Sequence, residues 1–281
     1  MKKIVSLALA AVLALSMLTA CGSKEKVTAK VIDIELTQEE YAFGVDKDQP
    51  ELLAEVNAFI DEIKTNGTFD EICNRYFGDG EPQGVVSAVE DPSKDQLVVA
   101  TNAAFEPFEY TEGDKYYGID MEIAAALAEK LGKELVISNM EFSAVCLSVG
   151  QHKCDIAMAG LTVKEDRKEY VDFSTSYYNA AQKLIVPSND KKFDDCKSAA
   201  DVEAVLASLD SKVKVGVQNG TTAEFYVKGD EEWEFDGFAV TCTGYSNGAL
   251  AVQDMMNGNI NYVIIDSAPA KCITDAINSV Q

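Results

Sequence analysis

Apolar positions recur along this chain in two periods, and the switches between them outline its elements. Residues 29–36, AKVIDIEL, alternate apolar and polar, the two-residue period of a strand with one buried face. Residues 39–45, EEYAFGV, predict a second strand. Pro50 suits a first helical turn. Leu53, Val56, Phe59, Ile60 and Ile63 follow at helical spacing until Asn66 and Gly67 stop the pattern. Thr68 with Glu71 predicts a capping box for a short helix carrying Ile72, Tyr76 and Phe77. Residues 79–96 are polar and glycine- and proline-bearing, a linker or surface loop.

Beyond the linker, 97–101 is an apolar run with the length of a buried strand, and 102–118 is a loop rich in aromatic residues. Asp120 is positioned to cap a helix that turns Ile123, Leu127 and Leu131 inward and ends at Gly132. Strands at 134–138 and 155–158 bracket a short helix beginning at Ser143. A second series follows: strands at 182–187, 213–217, 239–243 and 260–265, with helices within 198–211, from 219–222 through Tyr226, over 246–256 and after Pro269. Strands and helices alternating at this spacing predict mostly parallel sheets. Loops of similar kind, 159–162 and 218–222, close strands in the two series, so a cleft between two α/β lobes is expected.

Composition changes this picture at the N-terminus. Of 281 residues, 1–20 read as a secretory signal: Lys2 and Lys3, then an apolar run over 4–18. The sequence LTACG at 18–22 resembles a bacterial lipobox, which would make Cys21 the lipidated first residue of the mature protein. That implies an extracytoplasmic protein held to the membrane by its anchor alone. The formal net charge is −23, and 1–20 hold two lysines and no acid, so the remainder is more acidic still. Such a surface disfavours nucleic acid and anionic lipid. No phosphate loop, zinc spacing or GxSxG is present, and no cofactor or metal is expected. The one histidine, His152, sits in a polar turn. Cys73, Cys146, Cys154, Cys196, Cys242 and Cys272 permit up to three disulfides, although a chain of this length needs none as a framework.

The stretch with most chemistry is 155–174, DIAMAGLTVKEDRKEYVDFS. A short strand ends at Gly160, a hydroxyl follows at Thr162, and a guanidinium at Arg167 stands beside a helical start. Backbone N–H groups and a fixed cationic fork make a seat for a carboxylate.

These residues, together with LVVATNAAFEPFEY, GIDMEIAAALAEKLG, VGVQNGTTAE and VIIDSAPA, resemble the polar amino-acid-binding family of bacterial extracellular solute-binding proteins, family 3, which serve ABC importers. The resemblance implies an α/β, two-lobe periplasmic-binding-protein-like fold of type II with the ligand in the cleft. The order of segments departs from the family: the part like residues 31–78 normally comes last. The chain therefore resembles a circularly permuted member. Its first lobe would be continuous over 42–176 and its second split into 28–36 and 182–281. The hinge would lie at 37–41 and 177–181, with 79–96 joining the family's usual termini.

Residue by residue, the resemblance implies that Arg167 pairs with a ligand α-carboxylate, helped by backbone N–H groups at Thr162 and Thr222. Asp266 would take the α-ammonium with the Gly160 carbonyl and the Thr162 hydroxyl. Phe105 and Phe142 would wall the side-chain pocket, and Asn102 and Gln218 would touch the ligand side chain. No added carboxylate or cation stands at the matched positions, so a neutral polar amino acid is expected as ligand. The implied partners are a free amino acid and the importer's membrane subunits, with the protein acting as a monomer and not as an enzyme. Two other functions are open at this point. One is a secreted dehydratase of the same fold acting on a cyclohexadienyl acid, with Asp266 or Glu141 as its acid. The other is an amino-acid sensor module.

Overall fold

The structure, a computed structural model, describes residues 26–280; the expected signal segment at 1–20 and Cys21 lie outside them. Along the chain come β1 (Ala29–Val31), β2 (Glu39–Tyr41), β3 (Gly44–Asp46), α1 (Pro50–Asn66) and α2 (Thr68–Phe77). After the linker follow β4 (Gln96–Thr101), a small sheet of β5 (Ala104–Phe105), β6 (Glu109–Glu112) and β7 (Lys115–Tyr117), then α3 (Ile119–Leu131) and β8 (Glu134–Asn139). Next are α4 (Val145–Gly150), β9 (Ile156–Ala157), β10 (Val171–Phe173), β11 (Tyr178–Ala180) and β12 (Gln182–Pro187). The remainder is α5 (Ala199–Ala207), β13 (Lys214–Gln218), α6 (Thr222–Lys228), β14 (Thr241–Tyr245), α7 (Gly248–Met256), β15 (Tyr262–Asp266) and α8 (Ser267–Ser279).

Two five-stranded sheets form the centres of two lobes, ordered β10-β3-β9-β4-β8 and β1-β12-β15-β13-β14. Apolar side chains cover both faces of each, such as Val99 and Ala100 in the first lobe and Ile264 and Ile265 in the second. The sheets are mixed rather than mostly parallel. In the first, β4 runs parallel to β8 and β9, but β3 is antiparallel to β9 and β10. In the second, β13 is parallel to β14 and β15, while β1 and β12 are antiparallel. The antiparallel strands come from segments that cross between lobes, which a strand–helix count along the sequence does not register.

The predicted strand at 29–36 is regular only over Ala29–Val31, though Ile32 and Leu36 still donate to Leu184 and Gln182 at 2.8 and 2.9 Å. The strand at 39–45 breaks because its halves serve different sheets. Tyr41 pairs with Tyr178 in the two-stranded crossover of β2 and β11, whereas Val45 pairs inside the first lobe. The capping box at Thr68 does not form. Gly67, at φ 87°, is the residue before the helix, and the Thr68 N–H donates to Asn66 Oδ1 at 2.9 Å. Asp120 is not a cap either, since α3 begins after Gly118 and Asp120 points into the core.

The linker is tied down. The buried Glu122 carboxylate on α3 accepts from Arg75 at 2.5 Å, from the Tyr76 hydroxyl at 2.6 Å and from the Gln83 N–H at 3.0 Å. All six cysteines from Cys73 to Cys272 are free, so none of the permitted disulfides is formed. No helix among the described residues is long and apolar enough to cross a membrane. The carboxyl ends of β4 and β9 in one lobe and of β13 and β15 in the other point their following loops at the cleft, the place where open α/β sheets gather ligand groups.

Candidate functional site

At the end of β9 the backbone turns through Gly160, at φ 54°, and delivers Thr162 and then a 3₁₀ turn over Arg167–Glu169. Arg167 is 8 % exposed. Its Nη1 donates to the Thr162 carbonyl at 2.7 Å, its Nη2 to the Gly220 carbonyl in the other lobe at 3.0 Å, and its charge lies 5.3 Å from the Phe142 ring centre. Among the described residues no carboxylate pairs with it. A buried guanidinium bonded only to carbonyls is a fitting receptor for an anion.

Across the cleft, Asp266 ends β15. It forms no capping bond to α8; its Oδ2 accepts from the Tyr41 hydroxyl and from Gln182 Nε2, both at 2.7 Å. Burial first, then the negative charge of Glu39, pushes its carboxyl up to about 7, with the Tyr41 and Gln182 bonds working the other way. Asp120 accepts from the Gly160 N–H at 2.9 Å and the Tyr177 hydroxyl at 2.7 Å, and burial raises it too to about 7.

Phe105, Phe142, Gly160, Thr162, Arg167, Gln218, Thr222 and Asp266 line one cavity, joined by Thr221. Asn102 stands beside it, with Oδ1 accepting from Gln218 Nε2 at 3.0 Å across the lobes. The Thr222 hydroxyl donates to that of Thr162 at 3.2 Å. The walls enclose only about 10 Å³, so a ligand the size of an amino acid would fit only with the lobes parted. Roomier hollows exist, such as one of about 300 Å³ on the outer side of Arg167. The small central cavity is the one where both buried charges converge. Glu141 is exposed, and Tyr178 packs against Tyr41 and Phe108 at the crossover.

Sequence reasoning missed two carboxylates. Glu39, on the crossover strand β2, is buried and takes three donors: Thr37 and Thr162 hydroxyls at 2.6 Å each and Gln182 Nε2 at 3.0 Å. Glu109, on β6 opposite Phe105, is fully buried, and neither carboxylate oxygen has a hydrogen-bond partner. Burial first, then the charges of Asp120 and Asp266, drives its carboxyl well above the usual range. The only sequence signal was its place in the aromatic loop 102–118. His152, a polar turn residue as expected, pairs with Asp46 at 2.8 Å away from the cleft.

The family model for bacterial extracellular solute-binding proteins, family 3, matches residues 5–79 and 97–257. The arginine-binding extracellular protein ArtP of Bacillus subtilis is 33 % identical over 141 residues, 50 % of this chain and 51 % of that protein. A probable histidine-binding protein of Neisseria gonorrhoeae is 27 % identical over 193 residues, 67 % of this chain and 65 % of that one. The chain thus spans about half to two thirds of the length of these curated relatives. Among solved structures, an ancestral arginine-binding protein bound to arginine aligns with TM-score 0.55 at 30 % identity, covering 65 % of this chain and 75 % of that one. An ancestral amino-acid-binding protein described as a precursor of cyclohexadienyl dehydratase aligns with TM-score 0.54 at 28 % identity, covering 74 % and 78 %.

These findings overturn the expectation of a neutral polar ligand, since the relatives are named for the basic amino acids arginine and histidine. That expectation considered only the matched positions, where Glu39 and Glu109 do not appear. The dehydratase alternative also falls away, because the family consists of solute-binding transport proteins rather than enzymes. The chain belongs to the bacterial extracellular solute-binding proteins, family 3.

Proposed function

We propose that this protein is an extracytoplasmic receptor that captures a basic amino acid, arginine first, between its lobes and presents it to an ABC importer. The observation that carries the reading is Glu109, a fully buried carboxylate with both oxygens unpartnered. An isolated buried charge is costly unless a counter-charge arrives. Asp266 lines the cavity, Glu39 and Asp120 hold its walls through Thr162 and Gly160, and Glu109 stands opposite Phe105, so acids surround the site. A guanidinium side chain supplies the missing positive charge and several donors in a fixed fork. In the same pose Arg167 pairs with the ligand carboxylate and Asp266 with its ammonium, while Phe105 and Phe142 wall the stem. Asn102, Gly160, Thr162, Gln218 and Thr222 complete the contacts.

In this reading the chain is a circularly permuted type II binding protein, with lobes at 42–176 and at 28–36 plus 182–281, the hinge at 37–41 and 177–181, and 79–96 as the joining linker. Two observations support it. The family match breaks into two blocks on either side of residues 80–96. The two described ends also lie side by side in the second lobe, where Ala29 N–H donates to Asn278 Oδ1 and Asn278 Nδ2 donates to the Ala29 carbonyl, each at 2.9 Å. Cys21 would carry the lipid anchor, and the protein would act as a monomer.

The test is calorimetric titration, after unfolding and refolding to strip carried-over ligand, with arginine, histidine, lysine, ornithine, glutamine and serine. One-to-one binding of a basic amino acid, tighter than that of glutamine and serine, is expected. Preference for a neutral amino acid, or no binding by folded protein, would sink the proposal.

A further inference from the structure

The cleft is closed by a contact that none of the ligand-facing residues makes. Lys164 lies two residues beyond Thr162, in the first lobe, and is 6 % exposed. Its Nζ is 2.9 Å from Asp230 and 2.9 Å from Glu232, both in the turn that follows α6 in the second lobe. The same ammonium sits 4.9 Å from the Phe225 ring centre and 5.9 Å from that of Trp233. The receiving turn is built independently of the lysine. Asp230 pairs with Phe235 through backbone bonds at 2.8 and 3.1 Å, and its Oδ1 accepts from the Glu232 and Trp233 N–H groups. One cation therefore meets two carboxylates and two ring faces in a shielded place, and every one of these partners belongs to the opposite lobe. Asp166, the acid of its own lobe, stands farther off at 3.9 Å.

We propose that Lys164 is a positioning residue, a cross-lobe latch that seats in the Asp230, Glu232, Phe225 and Trp233 cup on closure and sets how slowly the bound ligand leaves. The proposal rests on the cleft being a ligand site, but not on which amino acid fills it. Other polar links between the lobes, Arg167 to Gly220, Gln218 to Asn102 and Thr222 to Thr162, involve groups at the proposed ligand site that rearrange around a ligand. Lys164 lies outside the cavity walls, so its bonds survive with ligand in place. When the lobes part, the ammonium and both carboxylates return to water, so the contact favours the closed state alone.

The experiment follows release of L-arginine by stopped flow, reading emission from Trp233, the single tryptophan of the chain. In Lys164→Met the dissociation rate is expected to rise about tenfold, equivalent to about 1.4 kcal/mol of closed-state stability, with the association rate nearly unchanged. The pair Asp230→Asn with Glu232→Gln is expected to do the same, and all three changes together to be no worse than either set, as coupled partners behave. Should Lys164→Met fail to fold, the carboxylate pair gives the same reading. A rise of less than about threefold in the folded variants overturns the latch. Failure of the parent protein to bind arginine would instead count against the proposed function. The latch is then read without ligand, by small-angle scattering: an unchanged radius of gyration in Lys164→Met overturns it, and expansion supports it.

Discussion

Arg167 in the first lobe donates through Nη2 to the carbonyl of Gly220 in the second, 3.0 Å away, so the group proposed to receive the ligand carboxylate also touches both halves of the closed cleft. A ligand carboxylate at this guanidinium would supply the anionic partner that two carbonyls do not. Arg167→Ala is expected to weaken arginine binding by at least about 100-fold, the scale for truncating one member of a buried charged pair. Circular dichroism should show the fold retained. Parent-like affinity in the calorimeter would refute the assignment.

In the proposed function Glu109 is the group that favours a cationic over a neutral ligand. Glu109→Gln removes the unpartnered carboxylate and keeps its shape. Arginine affinity should fall about 100-fold while glutamine affinity falls far less, since truncating one side of a desolvated charge pair costs about 2–5 kcal/mol. The melting temperature without ligand should hold or rise, because a buried unpaired acid has been removed. Equal losses for both ligands would move the specificity element elsewhere.

Asp120 and Asp266 are both raised from 3.8 to about 7, in each case first by burial. For these acids the folded state holds protons that the unfolded state has given up. Their contribution to stability is full below pH 3.8 and is lost as pH rises through about 7, on the order of 4 kcal/mol for each. Ligand binding runs the other way. A cation in the cleft favours the ionised carboxylates, so binding releases protons, and arginine affinity should fall as pH drops from 8 to 6. Calorimetry in buffers of different ionisation enthalpy counts those protons; none released at pH 6 would contradict the site's electrostatics.

Gly160 occupies left-handed backbone at φ 54°, and an added Cβ would meet Phe105 at 3.1 Å and Tyr41 at 3.3 Å. Gly160→Ala is expected to cost about 1–2 kcal/mol of stability from the backbone alone. It should also weaken binding, because Phe105 and Tyr41 hold the cavity wall and Asp266. Chemical denaturation and titration measure the two effects separately, and a neutral substitution would show the turn to be adaptable.

The recurrent local patterns made much of this protein legible from its sequence. The strand ending at Gly160, the hydroxyl at Thr162 and the guanidinium at Arg167 form one short run whose geometry follows from neighbouring residues. Asn219 and Gly220 before Thr222, and Asp266 before Pro269, announce strand-to-helix turns in the same local way. These signals act over a few residues, so reading along the chain finds them.

Hydrophobic periodicity and turn residues determined the α/β class, while the motifs at strand ends carried the resemblance that implied the family and the residues of the central cavity. Only the tertiary structure decided that Glu109 is stripped of water and partners, that Glu39 joins Thr162 to Gln182, and that Lys164 meets Asp230 and Glu232 across the lobes. The strands at 29–36 and 39–45 changed for a related reason, since their partners lie more than 100 residues away. Periodicity and capping are sums over near neighbours. Desolvation and charge pairing are sums over whatever the fold brings alongside, and a glutamate in an aromatic loop reads the same in sequence whether it faces water or a buried site.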